Sequence, residues 1–306
     1  MKKYLIIGGA GFIGSHLSKR LLELGHEVVV IDDFSAGVKD RNNGKIKVYK
    51  TNIESRDKII KLFKKEKPDF VYHLAGAINL RRQITDPLFK KDMDILERTD
   101  SILEPFRLSG AKKFIFISSG GAIYENADII PTPENYPSSP LSLYGLANLM
   151  IEKYIEIYCK NYNLNFVIPR LSNVYGPMQW ESGIIPSIII NVLDNKRPSI
   201  NGNGKQTRDF MYIGDAVDAL ILLAEKGKNG IYNIGTGKEV SINEVFKIAK
   251  KLLNSQIGAE YNNLANQETE RSALDIQKIT KELGWRPKND IKDGLTKTIE
   301  WYKASN

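Results

Sequence analysis

The sequence holds a single cysteine, Cys159, and only three histidines, His16, His26 and His73, in 306 residues. One thiol cannot build an internal disulfide framework, so the chain is expected in a reducing cytoplasm, with Cys159 as a small buried helix residue. The histidines lack metal-ligand spacing, and no metal is expected. No apolar run approaches the about 18 residues of a membrane span. The first apolar run begins at Tyr4, so no signal peptide is expected. Repeats and low-complexity linkers are lacking as well. Lysine plus arginine (44) outnumber aspartate plus glutamate (36), a formal charge of +8. The lysines are scattered over helical stretches, as at Lys58, Lys61, Lys64, Lys65 and Lys67, with no basic stripe interleaved with aromatics. That pattern argues against nucleic acid as a partner and reads as solvated helix faces, with the excess also able to attract an anionic substrate such as a sugar diphosphate.

Hydrophobic residues make up 42% of the chain, enough for a full core in one large domain or two smaller ones. Short apolar runs at 4–7, 28–31, 46–49, 70–74, 113–118 and 164–168 alternate with helical patterns at about 12–24, 55–66, 88–109 and 143–162. The alternation predicts an α/β chain: a Rossmann-type, doubly wound parallel sheet with helices on both faces. Ligands of such sheets bind beyond the carboxyl ends of the strands, so chemistry is sought just after each run.

After strand one comes Gly8-Gly9-Ala10-Gly11-Phe12-Ile13-Gly14. Glycines 8, 11 and 14 let the backbone turn tightly, approach a pyrophosphate and pack a helix against the strand. The helix start at Phe12 and Ile13 offers free N–H groups to phosphate. Strand two ends in Asp32-Asp33, where a carboxylate accepts both ribose hydroxyls and repels a 2′-phosphate, which selects NAD over NADP. Asn52-Ile53 is placed to touch the adenine, and Leu74-Ala75-Gly76 to lie against the cofactor. Ser118-Ser119-Gly120-Gly121-Ala122-Ile123-Tyr124 follows strand five, and Tyr144 opens a helix. Arg170-Leu171-Ser172-Asn173-Val174-Tyr175-Gly176-Pro177 follows strand six. Beyond about 178 the rhythm changes. Helices at 184–195, 241–253 and 275–283 and a returning strand at 230–235 predict a smaller C-terminal α/β lid. Domain one is expected over 1–177 with 209–236 returning to it, and the lid over 178–208 and 237–306.

These segments, with Gln206-Thr207-Arg208-Asp209-Phe210 and Leu283-Gly284-Trp285-Arg286-Pro287, resemble the extended short-chain dehydrogenase/reductases. Within them the chain is similar to the NAD-dependent nucleotide-sugar epimerase/dehydratase family over nearly its whole length. The resemblance implies oxidation of a nucleotide-activated sugar at C4, with Tyr144 as the base and Ser118, Tyr144, Asn148 and Leu171 among the cofactor contacts, Asn148 still able to bond a ribose hydroxyl. It also implies Asn173 and Arg208 as diphosphate ligands, and a homodimer built through the helices near 90–109 and 144–160. The simplest net reaction is 4-epimerisation; a net 4-dehydrogenase or a dehydratase shares the same first step.

The chain departs from the family pattern at telling positions. Asn148 stands where the family has a lysine that holds the nicotinamide ribose and lowers the tyrosine pKa. An opposite charge nearby shifts a group by roughly 1–3 units, so its loss should cut the tyrosinate population roughly ten- to a thousandfold. Gly120 replaces a frequent Ser or Thr, with Ser119 or Ser118 as a substitute. Asn52 stands where Asp is common, Asp94 and Asp100 where Asn is common. Ala265 falls where some 4-epimerases carry a second diphosphate arginine; Arg271 partly replaces it or forms a surface ion pair. Three readings follow from Asn148: an enzyme that is slower or uses another base, a variant altered to trap substrate, and an NAD-bound pseudoenzyme of low activity.

Overall fold

Strand β1 (Lys3–Ile7) is buried from Tyr4 onward and pairs in parallel with β2 (Glu27–Asp32) on one side and β4 (Phe70–His73) on the other. The computed structural model describes residues 1–35, 46–75, 95–179, 183–263 and 269–305. Adding β3 (Lys47–Lys50), β5 (Lys113–Phe116), β7 (Phe166–Leu171) and β12 (Gly230–Ile234), the described strands run in the order β12-β7-β5-β4-β1-β2-β3. The two-residue strand β6 (Ser118–Ser119) pairs with β7. The pairings from β3 through β7 are parallel. Runs such as Val28-Val29-Val30-Ile31 are buried without alternation, as a sheet covered on both faces requires. Helices α1 (Phe12–Glu23), α2 (Arg56–Glu66) and α3 (Ile95–Ser109) connect the strands. After β5 come the short α4 (Gly120–Ile123) and the long α5 (Leu143–Asn161). This is the expected doubly wound sheet. The chain winds outward to β3 and then returns to β4, so the strand order reverses between β1 and β4. That is the switch point where such sheets open a crevice for ligands.

The chain forms two compact units. The first comprises Met1–Ile123, Pro140–Arg170 and Ala219–Tyr232; the second comprises Tyr124–Ser139, Leu171–Asp218 and Asn233–Asn306. The core of the first gathers Leu5, Ile7, Val29, Val71, Phe106, Phe114, Ile151 and Ile155. The second holds three short pairs: β8 (Asn173–Tyr175) with β11 (Phe210–Tyr212), β9 (Ser199–Asn201) with β14 (Glu260–Asn262), and β10 (Thr207–Arg208) with β13 (Val240–Ser241). Its core lies among α6 (Ile184–Leu193), α8 (Ile242–Leu252) and α10 (Ile291–Ser305). Helix α7 (Ile213–Lys226) runs through the division at 218, and α9 (Gln277–Leu283) belongs to the second unit.

The units differ from the expected division at 177 and 209. Residues 124–139 join the second unit because Thr132 N–H donates to Ala273 O, and its carbonyl accepts from Asp275 N and Asn233 Nδ2, each at 2.9 Å. Residues 171–177 and 209–218 join it through the β8–β11 pair. Helix α10 was not anticipated. Gly294 and two threonines weaken its intrinsic propensity, but Leu295, Thr298, Ile299 and Tyr302 bury one face, and Asp290 Oδ1 accepts Asp293 N–H at 2.8 Å at its start.

Candidate active site

The glycine loop after β1 is shaped by contacts that only glycine permits. Gly8 has φ +83°, and a Cβ there would stand 2.7 Å from the Ala75 nitrogen beyond β4. A Cβ on Gly14 would stand 2.4 Å from the Gly8 carbonyl oxygen, so α1 packs directly on the loop. Gly11 is different. Its φ is −71°, and an added Cβ would meet protein only at the Gly8 oxygen, 3.4 Å away. Nothing in the described fold demands glycine at 11; an approaching ligand would. Gly11 is also the N-cap of α1, with no side-chain cap and no acid in the first turn. The N–H groups at Phe12 and Ile13 and the positive helix end therefore face no competing carboxylate from this turn. Asp32 borders the same loop: its Oδ2 accepts Ala10 N–H at 2.9 Å and its Oδ1 accepts Phe34 N–H at 2.8 Å. These features fit a dinucleotide pyrophosphate and ribose. Gly11→Ala is expected to fold normally and to lose bound NAD, measured by the nucleotide released on denaturation; an unchanged NAD content would remove Gly11 from the cradle.

The other residues predicted for this region are placed unevenly. Asp33 is exposed and its Oδ1 accepts from both Ser35 N and Ser35 Oγ. Asn52 Oδ1 accepts Glu54 N–H at 3.0 Å in a turn before α2. Ile53 is buried, and its carbonyl accepts Ser101 Oγ. Leu74 N–H donates to Ile7 O, which brings it beside the loop. Leu171 is buried at the end of β7. Gly76, Asp94 and Ala265 lie outside the described residues. Asp100 accepts from Tyr154 at 2.7 Å and pairs with Arg56, a structural role between helices.

Tyr144, Ser119 and Asn148 come together. Ser142 caps α5 by accepting Gly145 N–H at 3.1 Å. A Cβ on Gly145 would stand 2.1 Å from Ala122 O, so the first turn of α5 lies hard against α4, which Ser119 immediately precedes. Burial raises the Tyr144 phenol above its ordinary pKa, while hydrogen bonds from Ser119 and Asn148 act to lower it. Among the described residues no charge joins them. Asn148 is buried, and its Nδ2 donates to Tyr144 O at 2.9 Å, one turn back along the helix. One of its amide hydrogens is thus spent on the helix, leaving the other N–H and the carbonyl oxygen for other partners. The two serines, left as alternatives by the sequence, separate here. Ser119 reaches Tyr144, whereas the buried Ser118 donates its hydroxyl to Glu152 at 2.6 Å. A cofactor contact at Ser118 would therefore fall to its backbone.

In the second unit Arg208 and Arg271 lie on neighbouring segments, since Thr207 N–H donates to Glu270 O at 2.9 Å. Arg208 Nη1 donates to Thr207 O. Arg271 is 61% exposed and makes a two-pronged bond to Glu239, at 3.0 and 2.6 Å, as the ion-pair reading had it. Asn173 is exposed, and its N–H donates to Asp209 O. Asp209 was not singled out from the sequence. Its buried carboxylate accepts from Thr236 N and Oγ1, Gly237 N and Leu274 N. It thereby ties the strand segment after Arg208 to the segment that follows Arg271. The signal was available: one acid between Arg208 and the apolar Phe210-Met211-Tyr212.

Comparison with known proteins bears on the family and the fold. A profile of the NAD dependent epimerase/dehydratase family matches residues 4–235. A protein of Methanocaldococcus jannaschii, provisionally named UDP-glucose 4-epimerase, is 40% identical over 305 residues, 99% of both chains. Human dTDP-D-glucose 4,6-dehydratase is 32% identical over 325 residues, 99% of this chain and 91% of its own. The crystal structure of Thermotoga maritima UDP-glucose 4-epimerase with UDP-glucose superposes with a TM-score of 0.95, covering 99% of each chain at 34% identity.

Proposed function

Because the chain belongs to the NAD-dependent epimerase/dehydratase family, we propose that it interconverts the C4 epimers of a nucleotide-activated sugar. NAD is the cofactor, and a nucleotide sugar the substrate class. The observation that carries the finer reading is the composition of the Tyr144 cluster. When bound, NAD supplies a hydride acceptor for the carbinol carbon. Tyr144 takes the C4 hydroxyl proton, and Ser119 donates a hydrogen bond that stabilises the phenolate. The same phenol returns the proton when the ketone is reduced on its other face. Epimerisation needs no further acid or base. Dehydration would need a second pair, to remove a proton beside the ketone and to protonate a leaving hydroxyl. A phenol flanked by two neutral hydrogen bonders, Ser119 and Asn148, suffices for epimerisation, and the epimerase names of relatives at 40% and 34% identity support that reading. UDP-glucose is the first substrate to try, since two of the relatives bear its name or its complex. Mass spectrometry and proton NMR of the products decide: an isomer of unchanged mass is expected, whereas a keto sugar lighter by two hydrogens would replace epimerisation with dehydrogenation, and one lighter by a single water, the hydride having been returned, would replace it with dehydration.

A homodimer is the second part of the proposal. Leu146 and Ile157, eleven residues apart on one face of α5, are exposed, as is Leu108 at the end of α3. These apolar side chains on two neighbouring helices are what a second copy of the chain would cover. Light scattering should give a dimer for the wild type and a folded monomer for Leu146→Glu/Ile157→Glu; a wild-type monomer would end this part.

A further inference from the structure

A buried ion pair stands behind the Tyr144 cluster. Glu152 lies on α5 four residues after Asn148 and eight after Tyr144, and so on the same side of the helix. Arg170 projects from β7 and donates through Nε and Nη2 to the two Glu152 oxygens at 2.9 and 2.6 Å. Ser118 Oγ donates to the same carboxylate at 2.6 Å. Glu152 is 0% exposed and Arg170 2%. Taking two such charges out of water costs about as much as their attraction returns, so an apolar pair of similar volume would serve stability equally well. Apolar packing of the helix on the sheet is in any case supplied by Ala147, Ile151 and Ile155. What the pair adds is direction. Its bonds to one carboxylate fix the rotation and height of α5 against β7, and the Ser118 bond fixes the strand end whose next residue is Ser119.

We propose that Glu152 is a positioning residue. With Arg170 and Ser118 it locks the strand end carrying Ser119 to the helix carrying Tyr144 and Asn148, keeping those three side chains within hydrogen-bonding reach. The proposal rests on the reading of Tyr144 as the base. A misplacement of about 1 Å in such a cluster costs on the order of a hundredfold in rate.

Two variants test it. Ser118→Ala cuts the link to the strand end and leaves the ion pair intact. Glu152→Met/Arg170→Met removes both charges together, so that neither is left buried alone. The first readout is the carbon-13 resonance of the Tyr144 phenol carbon in tyrosine-labelled protein, assigned by its loss in Tyr144→Phe. The second is the division of any loss between kcat and KM for UDP-glucose. Both variants should move the Tyr144 resonance while leaving most other tyrosines in place, and lower kcat about ten- to a hundredfold at nearly constant KM. A stationary Tyr144 resonance in folded Ser118→Ala overturns the proposal, whatever the double variant does. Wild-type protein that oxidises no sugar nucleotide would instead overturn the reading of Tyr144, and the resonance would still decide whether Glu152 positions it.

Discussion

Replacing Asn148 by lysine is expected to raise the rate of sugar oxidation at neutral pH by roughly ten- to a thousandfold. On the proposal that Tyr144 is the base, it is competent only above its own pKa. Burial pushes that pKa up, and the two groups that oppose the rise, Ser119 and Asn148, are neutral hydrogen bonders. The wild-type rate should therefore climb with pH throughout the neutral range and reach no plateau there. An ammonium one helical turn from Tyr144 favours the phenolate through charge, lowering the phenol by roughly 1–3 units. The whole profile should move to lower pH by the same amount, with the alkaline limit little changed. The measurement is the pH dependence of single-turnover nicotinamide reduction in the two proteins. If the profiles coincide, the ionising base is another group, and the reading of a differently placed base takes over.

Tyr144→Phe is expected to slow oxidation by about a hundred- to ten-thousandfold, the usual contribution of a positioned base. Among the described residues no hydrogen bond joins the phenol to the loop at Gly8–Gly14, so bound NAD should remain at the wild-type level. Helix α5 should also persist, because Ser142 and the close seat of Gly145 on Ala122 set its start without the hydroxyl. Full activity in this variant would remove Tyr144 from the chemistry. Loss of NAD together with activity would make it a cofactor ligand first.

The sheet and most of its helices were legible because their signals are local. Apolar runs such as Val28–Ile31 and the glycine spacing after β1 each dictate a conformation, and the structure places them within a few residues of expectation. Helix α10 was hidden by Gly294 and its threonines, although Asp290 and the spacing of Leu295, Ile299 and Tyr302 announced it. The division of the chain was harder, since Thr132 joins the second unit through carbonyls and N–H groups that carry no side-chain signature. At the candidate site, the sequence singled out Tyr144 and Asn148 but left Ser118 and Ser119 as alternatives. Only the course of the chain past Glu152 tells them apart, because Glu152 claims one hydroxyl and leaves the other to Tyr144. The same holds for Arg271, whose partner Glu239 is far off in sequence yet adjacent through the β10–β13 pair.

The measurement that bears most directly on the account is the absorbance of the purified, NAD-loaded protein on mixing with UDP-glucose. The account predicts a small, reversible rise in reduced-nicotinamide absorbance, slow at neutral pH and faster at alkaline pH, followed by appearance of the C4 epimer. Bound NAD that stays oxidised with UDP-glucose and with every other nucleotide sugar, at any pH at which the fold persists, would contradict it and establish the low-activity, NAD-bound reading.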